Sequence, residues 1–166
     1  MGLLYPERIW WHEWFLLFRL GTLHFDTNYE NWIEGPSLIQ SRELHVCEVM
    51  KMPGSSDVIV VAGGRDANET VLTSVEFFVN GAWIQGPDLP KPLYEPTMVS
   101  FGSTGVILMG GTFSIQGPSS SSIYRLACGE SLQTCEWIEM EQKLSADRYG
   151  HNSLLISEGH GALSCL

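Results

Sequence analysis

Apolar residues in this chain fall in short runs rather than helical stripes. "LHVCEV" (44–49), "DVIVVAGG" (57–64), "TSVEFFV" (73–79) and "WIQG" (83–86) are separated by polar, Gly- or Pro-containing stretches. Runs of four to eight residues rich in Val, Ile and aromatics predict β-strands. The near-continuous "VIVVA" predicts a strand buried on both faces. Asn80-Gly81 between two such runs predicts a hairpin turn, and Gly86-Pro87 ends the fourth strand because proline cannot donate to a sheet. A second set follows the same order: "PTMVSFG" (96–102), "TGVILMGG" (104–111), "IYRLAC" (123–128) and "CEWIEM" (135–140). The polar stretches "RDANETVL" (65–72), "TFSIQGPSSSS" (112–122), "GESLQT" (129–134) and "EQKLSADRY" (141–149) read as loops.

The order repeats with a fixed spacing. Trp32, Trp83 and Trp137 lie 51 and 54 residues apart, and "GP" follows the first two. The glycine pairs Gly63-Gly64 and Gly110-Gly111 close two apolar runs at an interval of 47. Arg precedes His by three in "RELH" (42–45) and again in "RYGH" (148–151). Between them the chain has "PLYEPTMV", with Tyr94 and Thr97 near the positions where Arg and His are expected. Four short antiparallel strands cannot cover their own apolar faces, so such units must stack.

The order R-x-x-H, apolar run, Gly-Gly, loop, "SVEFF" or "SIYRL", then Trp resembles the kelch repeat. The resemblance covers two complete units and two partial ones over residues 23–157, flanked by an atypical apolar segment (1–22) and a tail (158–166). It implies an all-β fold: an incomplete β-propeller of about three kelch-type blades, each of up to four antiparallel strands. Three blades are too few to close a ring, so the chain reads as a fragment or short isoform of a longer kelch protein. In this reading Trp32, Trp83 and Trp137 pack between blades, the four glycines permit tight turns, and the arginines of the R-x-x-H pairs bond to loop carbonyls. "WFLLFRLG" (14–21) is read as the second strand of the first blade.

Charge and cysteines narrow the function classes. The net charge of −10 disfavours nucleic acid and anionic membrane surfaces. "WFLLF" is too short to span a membrane, and the N-terminus lacks the pattern of a signal peptide. The expected location is therefore cytoplasmic. Cys47, Cys128, Cys135 and Cys165 form no CxxC pair and no zinc-type spacing. Cys128 and Cys135 can pair across a hairpin in an oxidising compartment; otherwise they stay reduced. "NET" at Asn68 is a glycosylation sequon, relevant only to a secreted chain.

No phosphate-binding loop, nucleophile elbow or zinc-protease motif is present, and no cofactor or metal is expected. The resemblance implies a protein-interaction module that presents loops on one propeller face. In a longer parent it would be the substrate-recognition part of a cullin-type ubiquitin ligase, beside BTB and BACK domains. The candidate contacts are Arg42, Arg65, Asp66, Tyr94, Arg148 and Tyr149, because Arg and Tyr anchor interfaces well. The alternatives are a copper enzyme similar to galactose oxidase, drawing on His45, His151, Tyr94 and Tyr149, or a truncated product without activity of its own.

Overall fold

The computed structural model describes residues 20–52, 56–102 and 105–155. The expected strand at 14–21 falls almost wholly outside them, as does the tail at 158–166. Among the described residues, ten strands form three antiparallel sheets. The first is a hairpin of β1 (Thr22–Asp26) and β2 (Asn31–Gly35). Its turn is held by Asp26, whose carboxylate accepts the backbone N–H of Asn28 at 2.8 Å.

The second sheet contains β3 (Val46–Met50), β4 (Val58–Ala62), β5 (Val75–Val79) and β6 (Ala82–Gln85), each beside its sequence neighbour. Asn80 and Gly81, at φ 52° and 82°, make the turn between β5 and β6. Two successive positive φ values match the right-handed twist of the flanking strands. The third sheet repeats the order with β7 (Thr97–Phe101), β8 (Gly105–Met109), β9 (Ser120–Ala127) and β10 (Glu136–Arg148).

These two sheets share one core. Met50, Val58, Val60 and Phe77 of the second pack in the same buried cluster as Met98, Val106, Leu108, Tyr124 and Leu126 of the third. Contact runs from β3 to β7 and β8. Each fully buried aliphatic or Phe side chain contributes about 1.5–3 kcal/mol relative to leaving it in water. Neither sheet could bury these residues alone, which is why the strand pattern repeats.

The segments that enter the second and third sheets and the one that follows β10 interlock. Leu44, Glu95 and Gly150 adopt the same left-handed conformation, with φ 54°, 53° and 59°. The Glu95 N–H donates to Leu44 O at 2.9 Å, and the Gly150 N–H donates to Glu95 O at 3.0 Å. This ladder sets the register of the repeat. Arg42 corresponds to Leu93 and Arg148, and His45 to Pro96 and His151. The middle unit's equivalents are therefore Leu93 and Pro96, one residue before the expected Tyr94 and Thr97. Leu93 is buried as its counterpart Arg42 is, and Tyr124, opposite Leu108, holds the register position that Glu76 holds opposite Val61, so an apolar chain fills the site where an aromatic replaces the acid.

Three further expectations are corrected. "SSS" at 120–122 belongs to β9, not to a loop. "EQKLSADRY" (141–149), also read as a loop, continues β10 as far as Arg148. Its ladder to β9 persists through two register shifts, with Lys143 opposite Ser122 and Arg148 opposite Ser120. An outermost strand faces solvent, so it needs no apolar alternation and looks like a loop in sequence. Thirdly, Trp32 is 66% exposed rather than packed between sheets. It meets its cross-strand neighbour Phe25 edge-on at 5.3 Å. Trp83 and Trp137 instead reach back to the preceding unit, donating from Nε1 to Pro36 O at 2.9 Å and to Pro87 O at 3.0 Å.

Candidate interaction face

Each glycine pair is a junction between units. A Cβ on Gly63 would run into the carbonyl of Leu93, and one on Gly64 would meet Glu43 O at 2.5 Å. On Gly110 it would meet Arg148 O at 2.6 Å, and on Gly111 Tyr94 O at 3.1 Å. All four have positive φ. The pairs thus hold a unit's own entry segment and the next unit's entry segment against the same strand end. Short backbone bridges extend this frame outward: Glu43 with Arg65, Arg65 with Val71, Tyr94 with Thr112, and Thr112 with Ser119. The loops after β4 and β8 are thereby pinned at their roots.

Between these loops lies an open groove of about 560 Å³, lined by Glu69, Val71, Pro92, Phe113, Ser114, Ile115 and Gln116. Its floor and walls are largely apolar, with Ile115 exposed. Lys91 holds its ammonium 5.7 Å from the centre of the Phe113 ring, a cation–π geometry. The Asp66 carboxylate accepts the backbone N–H groups of Asn68 at 2.8 Å and Thr70 at 2.9 Å, which fixes the loop that carries Glu69.

The six candidate contacts separate into different roles. Arg42 is not on the face at all, because its side chain is fully buried. It donates to Gly63 O, Ser74 O and Ser74 Oγ at 2.8–3.0 Å, and to Glu76 Oε1 at 2.7 Å. The other needs of the Glu76 carboxylate are met by the Ile39 and Gln40 N–H groups. Arg65 is half-buried and ion-paired with Glu43 at 2.7 Å, while Asp66 organises its own loop. Tyr94 is mostly buried. Removal from water raises its phenol pKa, with Glu95 adding to the rise and Arg65 opposing it. Arg148 and Tyr149 are exposed, and the Arg148 guanidinium donates to Ala146 O at 3.3 Å.

Sequence reasoning missed Glu76 and the Phe113–Ile115 segment. Glu76 did carry a signal, since an acid inside the apolar run "SVEFFV" must find a buried cation. Phe113 and Ile115 lie in a stretch read as polar, and their position over the groove follows only from the fold. His45 and His151 each abut a glycine of the junction pairs and occupy equivalent positions with Pro96 between them in the repeat. Among the described residues, no group of three His, Cys, Asp or Glu side chains could hold a metal ion, and no helix is long and apolar enough to cross a membrane.

No family model matches the chain, and no curated protein matches it. Among solved structures it is similar to that of YjhT, a kelch-repeat propeller protein, with a TM-score of 0.61 at 14% identity. The match covers 78% of this chain and 40% of YjhT, so the matched part spans two fifths of that protein. At that identity the likeness is one of fold: this is an all-β chain whose three antiparallel sheets are partial propeller blades.

Proposed function

We propose that the chain is a kelch-type protein-interaction module whose loop face takes a segment of a partner protein in the groove between the loops after β4 and β8. The observation that carries this is the placement of Val71, Pro92, Phe113 and Ile115 in one open concavity, on loops rooted by backbone bridges. Apolar side chains held rigidly toward solvent can be covered by a partner at little ordering cost. Glu69 and Lys91 at its margins supply charges that orient an incoming segment. Tyr149 is 56% exposed and offers an aromatic contact. The adaptor role that the resemblance implies depends on BTB and BACK domains rather than on these residues, so the proposal is binding alone.

Selection of displayed peptides against the full chain tests it. Peptides that bind should lose at least tenfold in affinity to Ile115→Asp and Phe113→Ala, while the unfolding midpoints of these variants stay close to wild type. Binding that ignores both substitutions, or a failure to select any peptide, would count against the groove.

A further inference from the structure

The loop after β4 carries a feature the groove does not use. Of the five asparagines in the chain, only Asn68 begins an Asn-x-Thr sequence. Asn68 and Thr70 are both exposed, in the turn that Asp66 organises. Those hydrogen bonds use the backbone N–H groups of both residues, and neither the Asn68 carboxamide nor the Thr70 hydroxyl makes a hydrogen bond among the described residues. A second, separate feature lies on the third sheet. Cys128 and Cys135 are joined in a disulfide that closes the β9–β10 hairpin beside the last strand pair, Ala127 and Glu136. Cys135 is buried and the pair packs against the shared core, with Cys128 Sγ 3.8 Å from Met50 Sδ. Disulfides of this kind persist in oxidising compartments and are rare in the cytosol. A sequon matters only in a chain that enters such a compartment. The two features are independent in sequence and lie on different sheets, yet they point to one environment, and it differs from the cytoplasmic expectation.

We propose that Asn68 is the acceptor of an N-linked glycan on a chain that folds in an oxidising compartment, where Cys128 and Cys135 are joined. In the transfer, the Asn68 amide nitrogen bonds to the anomeric carbon of a lipid-pyrophosphate-linked oligosaccharide. The bond from that carbon to the pyrophosphate oxygen breaks, the lipid pyrophosphate leaves, and one amide proton passes to a base. In the oxidation, a disulfide of a thiol oxidoreductase is reduced to its dithiol as it takes two electrons and two protons from the Cys128 and Cys135 thiols. The structure accommodates both products: the acceptor residue is exposed, and the cystine sits within an already formed hairpin. This inference does not depend on the groove reading.

The test is production of the full 166-residue chain behind a cleavable secretion leader in cultured animal cells, with a parallel preparation from a reducing cytosol. The lumenal or secreted chain should shift by one glycan on treatment with a glycan-removing amidase. Asn68→Gln and Thr70→Ala should abolish the shift, whereas Thr70→Ser should keep it. The Thr70 hydroxyl makes no hydrogen bond among the described residues, so loss of the shift in Thr70→Ala cannot be laid to misfolding. Because transfer precedes folding, the readout survives even where a variant folds badly. Under alkylation at mildly alkaline pH, Cys47, the free exposed thiol among the described cysteines, should label without prior reduction. Cys128 and Cys135 should label only after reduction. The cytosolic preparation should melt lower and recover on oxidation. An unshifted lumenal chain, free labelling of Cys128 and Cys135, or equal melting of the two preparations would each overturn the proposal.

Discussion

The guanidinium of Arg42 donates to the carboxylate of Glu76 at 2.7 Å, with both side chains shut off from solvent. Arg42 lies in the connection from β2 to β3, and Glu76 is the second residue of β5. The pair therefore ties an incoming connection to the face of the sheet it enters. Every oxygen of Glu76 is engaged, and Arg42 spends its Nη1 and Nη2 atoms on two carbonyls, a hydroxyl and the carboxylate. Removing one partner strands the other charge in the interior, which costs about 3–5 kcal/mol. Arg42→Ala and Glu76→Ala should each lower the stability measured by urea unfolding by that amount. Arg42→Lys should recover little, because an ammonium cannot reproduce the planar fork. The double change to Met and Leu should be far milder than either single one.

The glycine junctions give a sharper contrast. Gly63 and Gly81 both have positive φ, at 64° and 82°. A Cβ on Gly81 meets nothing within 4 Å, whereas one on Gly63 collides with the Leu93 carbonyl of the next unit. Gly81→Ala should cost only the conformational term, about 1–2 kcal/mol. Gly63→Ala should cost clearly more and should loosen both sheets. Thermal unfolding of the two variants side by side checks this.

The β9–β10 hairpin carries the only disulfide among the described residues. Closing a loop of about this size restricts the unfolded chain by about 2–3 kcal/mol in the chain-entropy account. The double variant Cys128→Ser, Cys135→Ser should lose that much in urea, and reduction of the wild type should reproduce the loss. A variant as stable as the oxidised chain would show that the hairpin holds without the link.

Two histidines set a direction for pH. Withdrawal from water lowers the pKa of His45, and Arg42 adds to it, while a backbone interaction with Arg42 and the Glu76 charge pull the other way. Burial and Arg148 lower that of His151, whose Nδ1 has no hydrogen-bond partner. With folded values below the unfolded value of about 6.5, the unfolded chain binds more protons in the interval between them. Stability from this source is complete above the unfolded value, falls as pH drops through the interval, and levels off below the folded pKa. Urea midpoints across mildly acidic pH should show that decline, and His45→Gln with His151→Gln should flatten it.

Much of this architecture is legible in the sequence for a physical reason. A strand buried on both faces must be continuously apolar, so "VIVVAGG" and "GVILMGG" announce β4 and β8. The Asn80-Gly81 turn is fixed by two residues that tolerate positive φ. What escaped notice depends on long-range partners. Arg42 looks like a surface arginine until Glu76, 34 residues later, is placed beneath it. β10 looks like a loop because its outer side meets water. Leu93 hides its equivalence to Arg42 because the repeat keeps the backbone ladder and changes the side chain. Phe113 and Ile115 are unremarkable in "TFSIQGP" until the loops after β4 and β8 are set side by side.

The central claim is that the second and third sheets are one interlocked body, joined through a shared core and the Leu44–Glu95–Gly150 ladder, and that this rigidity holds the loop face in place. Amide hydrogen exchange of β4 and β8 tests it most directly. The account predicts that Val58–Ala62 and Gly105–Met109 exchange together in one slow cooperative opening, and that Arg42→Ala, which touches only the second sheet, speeds both by the same factor. Fast exchange of one strand while the other stays protected, or acceleration confined to β4, would contradict it.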